Sequence, residues 1–219
     1  PTPDHLMTAR DLSNLAVLTI KHFPELYSIY SETNFTHNKI KQGNRNPLLY
    51  KGMGADGLKT GRTKAAGYGL TASVERAGRR LVLVINGLTS SRKRTIESQR
   101  VIEWGFREYV NHKIYNANDS LTNIDVWLGK AKTIPAIIET ELLLTIKRSD
   151  KQEMKMTVNY EEPIITPISK GQKVGTLKIK IPQKMVLTYP LVSAIDVEQL
   201  NPFQKIFAAI NYLVWGSGD

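Results

Sequence analysis

The chain has 219 residues, 41% of them hydrophobic and 23% charged, which suits one large or two small globular domains with a real core. It contains no cysteine, so disulfides, thiolate catalysis and zinc–thiolate sites are excluded. The net charge is +10 and uneven: residues 1–110 hold 17 Lys and Arg against 9 Asp and Glu, whereas residues 111–219 hold 13 against 11. Such a field draws anionic partners. Nucleic acid is disfavoured among them, because no Lys/Arg tract is interleaved with aromatic residues. The four histidines, His5, His22, His37 and His112, are scattered without a metal-ligand spacing, and no metal or other cofactor is expected.

Pro1-Thr2-Pro3 shows no signal peptide, and no apolar run approaches the roughly 20 residues that span a bilayer. Thr8 followed by Asp11 reads as a capping box. Leu12, Leu15, Ala16 and Leu18 then recur at helical spacing up to Phe23-Pro24, which predicts a helix over 9–22. Ile40 to Leu49 reads as a loop carrying a cation, Arg45. Ala66–Val74 and Arg80–Gly87 read as two strands joined by the short Gly-containing connection Glu75–Arg79, a hairpin. Ser91 to about Val110 reads as a second helix, with Ile96, Val101, Trp104, Phe106 and Tyr109 supplying much of its apolar surface.

Beyond Tyr115-Asn116-Ala117-Asn118-Asp119 the period changes from helical to two. Met154, Met156, Val158 and Tyr160 alternate with polar residues, as do Leu177, Ile179 and Ile181. Ala136–Ile146 and Lys184–Tyr189 add further apolar strands. This pattern predicts a small antiparallel β domain with one wet face, with Trp127 a candidate for its core. In the final segment Phe203, Ile206, Phe207, Ile210 and Val214 share a helical face that ends near Trp215. It is too short to cross a membrane but long enough to lie along one. Asp196, Glu198 and Lys205 give it no basic face, and packing on the β domain is the other reading.

Ahead of the hairpin lies Asp56-Gly57-Leu58-Lys59-Thr60-Gly61-Arg62-Thr63. Lys59-Thr60-Gly61 on a strand brings together an ammonium, a hydroxyl and a backbone without Cβ. Those groups suit an anionic ligand that approaches main chain closely. An edge at this point would let a peptide pair as an extra strand.

Order and spacing of several stretches together resemble the serine D-alanyl-D-alanine carboxypeptidases, the low-molecular-mass penicillin-binding proteins. The stretches are His5–Leu12, Phe23-Pro24-Glu25, Asn44-Arg45-Asn46, Asp56–Gly61 and Ala66-Gly67-Tyr68. The resemblance implies an α+β fold: part of a penicillin-binding/β-lactamase-like catalytic domain over 1–111, its antiparallel sheet flanked by helices. A small all-β sandwich-like accessory domain over 112–195 and an amphipathic anchor helix over 196–219 would follow. It implies cleavage of D-Ala-D-Ala stem peptides of peptidoglycan through an acyl-enzyme, inhibition by β-lactams, and a periplasmic enzyme attached peripherally to the inner membrane. On that reading Lys59 places positive charge beside the nucleophile, Thr60 hydrogen-bonds the terminal carboxylate and Gly61 keeps the strand open. The backbone N–H of Arg62 is an oxyanion donor, and Arg45 is a counter-charge for the carboxylate.

The family's nucleophile is the serine of Ser-x-x-Lys, and its second motif is Ser-x-Asn; both precede the Lys-Thr-Gly strand. The single Ser-x-x-Lys here, Ser90-Ser91-Arg92-Lys93, follows that strand and reads as a helix N-cap with solvated charges. The chain is therefore expected to be the C-terminal part of a longer enzyme, inactive alone and completed by its N-terminal part. A non-catalytic wall-binding or scaffold fragment is the alternative.

Overall fold

The structure, a computed structural model, describes residues 6–182 and 186–207. The chain divides into two compact units, Pro1–Tyr109 and Val110–Asp219. The α+β architecture implied by the sequence is the one observed.

The first unit opens with α1 (Ala9–His22), capped by Thr8 and Asp11. The Asp11 amide donates to Thr8 Oγ1 at 3.1 Å and the Thr8 amide donates to Asp11 Oδ2 at 2.9 Å, so two free helix-start donors are satisfied reciprocally. Phe23 ends α1, and Pro24 opens the short α2 (Pro24–Tyr27), proline being tolerated in a first turn. An exposed hairpin follows, β1 (Asn34–His37) and β2 (Ile40–Gly43). Ile40–Gly43 is thus a strand, and the loop expected there is confined to 44–46 before the 3-10 turn Pro47–Tyr50. Then come β3 (Ala55–Thr63), β4 (Gly67–Arg76) and β5 (Arg79–Leu88), an antiparallel sheet in the order β3-β4-β5. Ala77 and Gly78 make the tight β4–β5 turn, both at positive φ (48° and 72°), as a twist-matched hairpin turn demands.

The alternation of β5 explains the layering. Leu81, Leu83 and Ile85 join a cluster with Leu70, Ala72, Val74 and, from α3 (Ser91–Glu108), Ile102 and Phe106. Val82 points the other way, into a cluster with Ala16 and Ile20 of α1 and Tyr27 of α2. The sheet is thus covered on one face by α3 and on the other by α1, and β3 forms one edge.

Arg76 pairs in a fork with Glu103 of α3, Nη2 to Oε1 at 2.6 Å and Nη1 to Oε2 at 3.0 Å. Its guanidinium also lies 4.6 Å from the Phe106 ring centre. The bonds from Arg76 hold the Glu103 carboxyl below its ordinary value of 4.5. A lowered folded value means stability that is present above the unfolded value and lost as pH falls through the folded one. Glu103→Gln should therefore cost about 0.5–1 kcal/mol at pH 7, the scale of a partly exposed pair. Urea unfolding as a function of pH checks this: the gap between the two proteins should close as the pH drops below 4.5.

The second unit contains β6 (Tyr109–Tyr115, its first residue still in the first unit), β7 (Ser120–Trp127), β8 (Thr133–Ile137), β9 (Leu142–Lys147), β10 (Lys155–Tyr160), β11 (Ile164–Ile165), β12 (Lys173–Lys180) and β13 (Val186–Ser193). Six strands run in the order β10-β12-β13-β8-β7-β11, and β6 pairs with β9 in a separate ribbon. Along β9, Leu142, Leu144 and Ile146 are buried and alternate with exposed or half-buried residues. They share one core with Ile124, Ile134, Leu177, Ile179 and Leu191 of the large sheet, so two β layers face each other. Each such fully buried branched side chain contributes on the order of 1.5–3 kcal/mol. Ala136–Ile146, expected as one strand, is two, parted by residues 138–141. Trp127 is half-buried and outside the core cluster, to which its neighbour Val126 is packed instead. Isolated bridges Ile168↔Val197 and Gly129↔Gln199 tie the chain to this unit as far as Gln199.

Candidate active site

Lys59, Thr60, Gly61 and Arg62 occupy consecutive positions of β3, which pairs with β4 in the register Lys59↔Thr71, Thr60↔Leu70, Gly61↔Gly69 and Arg62↔Tyr68. Within the three-stranded sheet the opposite side of β3 has no partner, so the run forms an open edge, with alternate N–H and C=O groups directed outward. Lys59, Gly61 and Arg62 are exposed and Thr60 is buried. Lys59 Nζ donates to the carbonyl of Thr60 at 2.7 Å, which folds the ammonium back along its own strand. A Cβ at Gly61 would meet nothing within 4 Å. The Arg62 guanidinium lies 4.8 Å from the centre of the Tyr68 ring, its cross-strand partner.

Arg45 is exposed, in the loop before the 3-10 turn. It is brought toward β3 by its neighbour. Asn46, 1% exposed, donates Nδ2–H to the carbonyl of Gly57 at 2.7 Å and accepts the Leu48 amide on Oδ1 at 3.1 Å. One buried amide thus caps the turn and ties the loop to β3. The Arg45 carbonyl in turn accepts from Arg94 Nη2 at 3.4 Å.

Arg94 is the residue that sequence reasoning missed. It stands on α3 with Ser98 and Ile102, and all three are buried; this i, i+4, i+8 stripe is the signal that could have found it. Nη2 also reaches Ser91 Oγ at 3.1 Å, the guanidinium lies 5.9 Å from the Tyr68 ring centre, and Nε has no partner among the described residues. Burial lowers its pKa from the ordinary arginine value without discharging it. Two guanidiniums, Arg62 and Arg94, therefore attend one tyrosine at the end of the motif strand. Ser90, the serine of the chain's Ser-x-x-Lys, accepts the Lys93 amide at 3.1 Å as the N-cap of α3. No cluster of three or more metal-ligating side chains occurs among the described residues.

Behind the strand, Asp56 Oδ1 accepts from Tyr27 Oη at 2.7 Å, and Asp56 Oδ2 accepts from Arg80 Nη1 at 2.6 Å. Arg80 also donates to Ser73 Oγ at 2.6 Å and pairs with Glu75. This network joins β3, β4, β5 and α2. Burial and the hydrogen bond to Asp56 push the Tyr27 hydroxyl far above its ordinary pKa, so it remains a neutral donor. Gly57 is required here, because a Cβ would lie 2.7 Å from Tyr27 Oη.

Residues 1–89 match the family model for D-alanyl-D-alanine carboxypeptidase, and residues 109–199 match that for the C-terminal domain of penicillin-binding protein 5. The chain is 33% identical over 217 residues to D-alanyl-D-alanine carboxypeptidase DacC of Escherichia coli, covering 97% of this chain and 54% of that protein. It is 32% identical over 208 residues to DacA of Haemophilus influenzae, covering 94% and 53%. Among solved structures, penicillin-binding protein 5 of Haemophilus influenzae superposes with a TM-score of 0.78 at 32% identity, over 90% of this chain and 58% of that one. DacD of Francisella tularensis gives 0.70 at 26% identity, over 91% and 62%. The chain spans about half the length of the curated relatives it matches. It belongs to the serine D-alanyl-D-alanine carboxypeptidase family: its first unit carries the Lys-Thr-Gly strand, and its second is a domain of the penicillin-binding protein 5 C-terminal type.

Proposed function

We propose that this chain supplies the Lys-Thr-Gly wall of a penicillin-binding serine carboxypeptidase that removes the terminal D-Ala from peptidoglycan pentapeptides. The observation that carries the reading is the unpaired edge of β3 at Lys59–Arg62. A stem peptide can lie along it as an added strand, its main chain pairing with that of β3. Gly61 has room for a Cβ in its own fold, so its bareness matters to what approaches from outside. The terminal carboxylate is met by the Thr60 hydroxyl and by the arginines around Tyr68, Arg94 and Arg62, with Arg45 beside them. The family's serine attacks the penultimate carbonyl, and the C–N bond breaks as the amine of D-Ala accepts a proton. Water then hydrolyses the ester and frees the serine. Lys59 stabilises negative charge through both steps, and the amide N–H of Arg62 faces the developing oxyanion. β-Lactams acylate the same serine.

The reading includes a periplasmic location with peripheral attachment to the inner membrane. Phe203, Ile206 and Phe207 support it, being 85%, 60% and 77% exposed, while Ile210, Val214 and Trp215 lie outside the described residues. No helix among the described residues is long and apolar enough to cross a membrane, so attachment would be interfacial. Labelling intact cells with a fluorescent penicillin and then fractionating them tests both parts. Label is expected on the full-length protein in the membrane fraction, releasable without dissolving the bilayer. The isolated 219-residue chain should take none; a stoichiometric adduct on Ser90 or Ser91 would overturn the assignment of those serines to a helix cap.

A further inference from the structure

The second unit has one surface whose composition folding does not account for. The adjacent strands β10, β12 and β13 contain Lys155, Lys173, Lys178 and Lys180 and not one Asp or Glu. In the β10–β12 register Lys155 stands directly opposite Lys180, Thr157 opposite Lys178 and Asn159 opposite Thr176. These six residues lie on one face, since their alternates Leu177 and Ile179 are fully buried in the core. Like charges directly opposite each other destabilise a sheet, so the Lys155–Lys180 pair works against folding. None of the four ammonium groups is ion-paired among the described residues.

The row leads into a cleft. β10 and β11 are the two edges of the six-stranded sheet, yet only Glu161, Glu162 and Pro163 separate Tyr160 from Ile164. Four Cα steps reach at most ~15 Å, so the sheet curls until its edges meet at this corner. There a cleft of about 590 Å³ is lined by Asn159, Tyr160, Glu161, Pro163, Lys173 and Thr176, among others, so that one carboxylate and one ammonium share it and the purely basic part of the strip is the row itself. Asn159 and Thr176 thus belong both to the row and to the cleft, and from Lys155 to Asn159 the row runs ~13 Å.

We propose that this strip, from the Lys155–Lys180 pair to the cleft at Tyr160, binds a carboxylate-bearing wall polymer; in the reading above that is peptidoglycan, whose carboxylates sit on its stem peptides and whose hydroxyls sit on its glycan. Ammonium groups meet its carboxylates, and the hydroxyls of Thr157 and Thr176 and the amide of Asn159 meet its hydroxyls. The six row residues include no aliphatic side chain, which disfavours a bilayer, where binding grows with apolar area inserted. They include no aromatic side chain either, which disfavours single-stranded nucleic acid, held as it is by successive stacking platforms. The proposal rests on the wall-enzyme reading for the identity of the polymer but not for the site, and its test involves no acylation.

The experiment is co-sedimentation of the chain with purified peptidoglycan sacculi at low salt. Parallel arms use sacculi whose carboxylates have been amidated, chitin as a neutral glycan, and vesicles of phosphatidylglycerol. Retention on untreated sacculi is expected, with little on amidated sacculi or chitin. Replacing Lys155, Lys178 and Lys180 together by Gln should weaken retention about eightfold, the product of three exposed charge contacts of about twofold each. A matched control, Lys21, Lys39 and Lys51 to Gln in the first unit, should retain the wild-type affinity, and the Arg triple variant at 155, 178 and 180 should restore it. Equal retention of the Gln triple variant, undiminished binding to amidated sacculi, or binding to vesicles but not to sacculi would each overturn the proposal.

Discussion

Replacing Lys59 by methionine in the full-length protein should slow acylation by a fluorescent penicillin about 10²–10³-fold, the scale set by removing one preorganised electrostatic contact from a transition state. The unfolding midpoint should not move. Lys59 is exposed and its ammonium makes one bond, to the carbonyl next to it on the same strand. Methionine keeps the length of the side chain and its strand propensity, so only the charge is lost. Folding gains little from a cation held that way, whereas a developing oxyanion a few ångströms from the β3 edge gains a great deal, because the edge is already fixed by eight register pairs with β4. Lys59→Arg separates charge from shape: its forked guanidinium should restore part of the rate but not all. A methionine variant that acylates at the wild-type rate would remove Lys59 from the site.

The sequence was most legible where local chemistry and burial agree. The capping box predicts the first residue of α1 because two specific side chains satisfy the helix's free amides. β4 and β5 are legible because their apolar residues face a helix on each side and a Gly-containing turn joins them. The misreadings have the opposite cause. β1 and β2 are exposed at every position, so no alternation marks them. β8 and β9 run together in Ala136–Ile146 because both contribute to one core and the break between them carries only Glu139, Thr140 and Glu141 as polar residues. Arg94 was hidden because an arginine beside Arg92 and Lys93 reads as solvated charge, yet it belongs to the buried stripe of α3. At the site, the motif's residue types are visible in the sequence, but the property that matters most is not. That one side of β3 is unpaired follows from strand order, and strand order is a long-range fact.

Asp56→Ala should destabilise the first unit by about 2–4 kcal/mol, somewhat below the cost of breaking a fully buried pair because Asp56 and Arg80 are each about a quarter exposed. β3, β5 and α2 meet at this carboxylate, and Arg80 carries the link on to β4 through Ser73 and Glu75. Without it, the Tyr27 hydroxyl loses its acceptor 2.7 Å away, and Arg80 keeps Glu75, Ser73 and a long 3.4 Å bond to Tyr27 Oη to offset its partial desolvation. Asp56→Asn should cost less, since an amide oxygen can still accept from Tyr27. Urea unfolding at constant m-value measures the loss, and a cycle with Arg80→Ala tests its origin. If the network acts as one body, the double variant should be less destabilised than the two single variants sum to, by 1 kcal/mol or so. The consequence for chemistry follows from position. Asp56 lies three residues before Lys59 on the same strand, and Asn46 grips the intervening Gly57 carbonyl from the other direction. The edge offered to a substrate is therefore held at one end by this network and along its length by β4. Loosening that end should lower acylation even at temperatures where the variant stays folded, and a variant that is destabilised but acylates normally would show that β4 alone suffices to hold the motif.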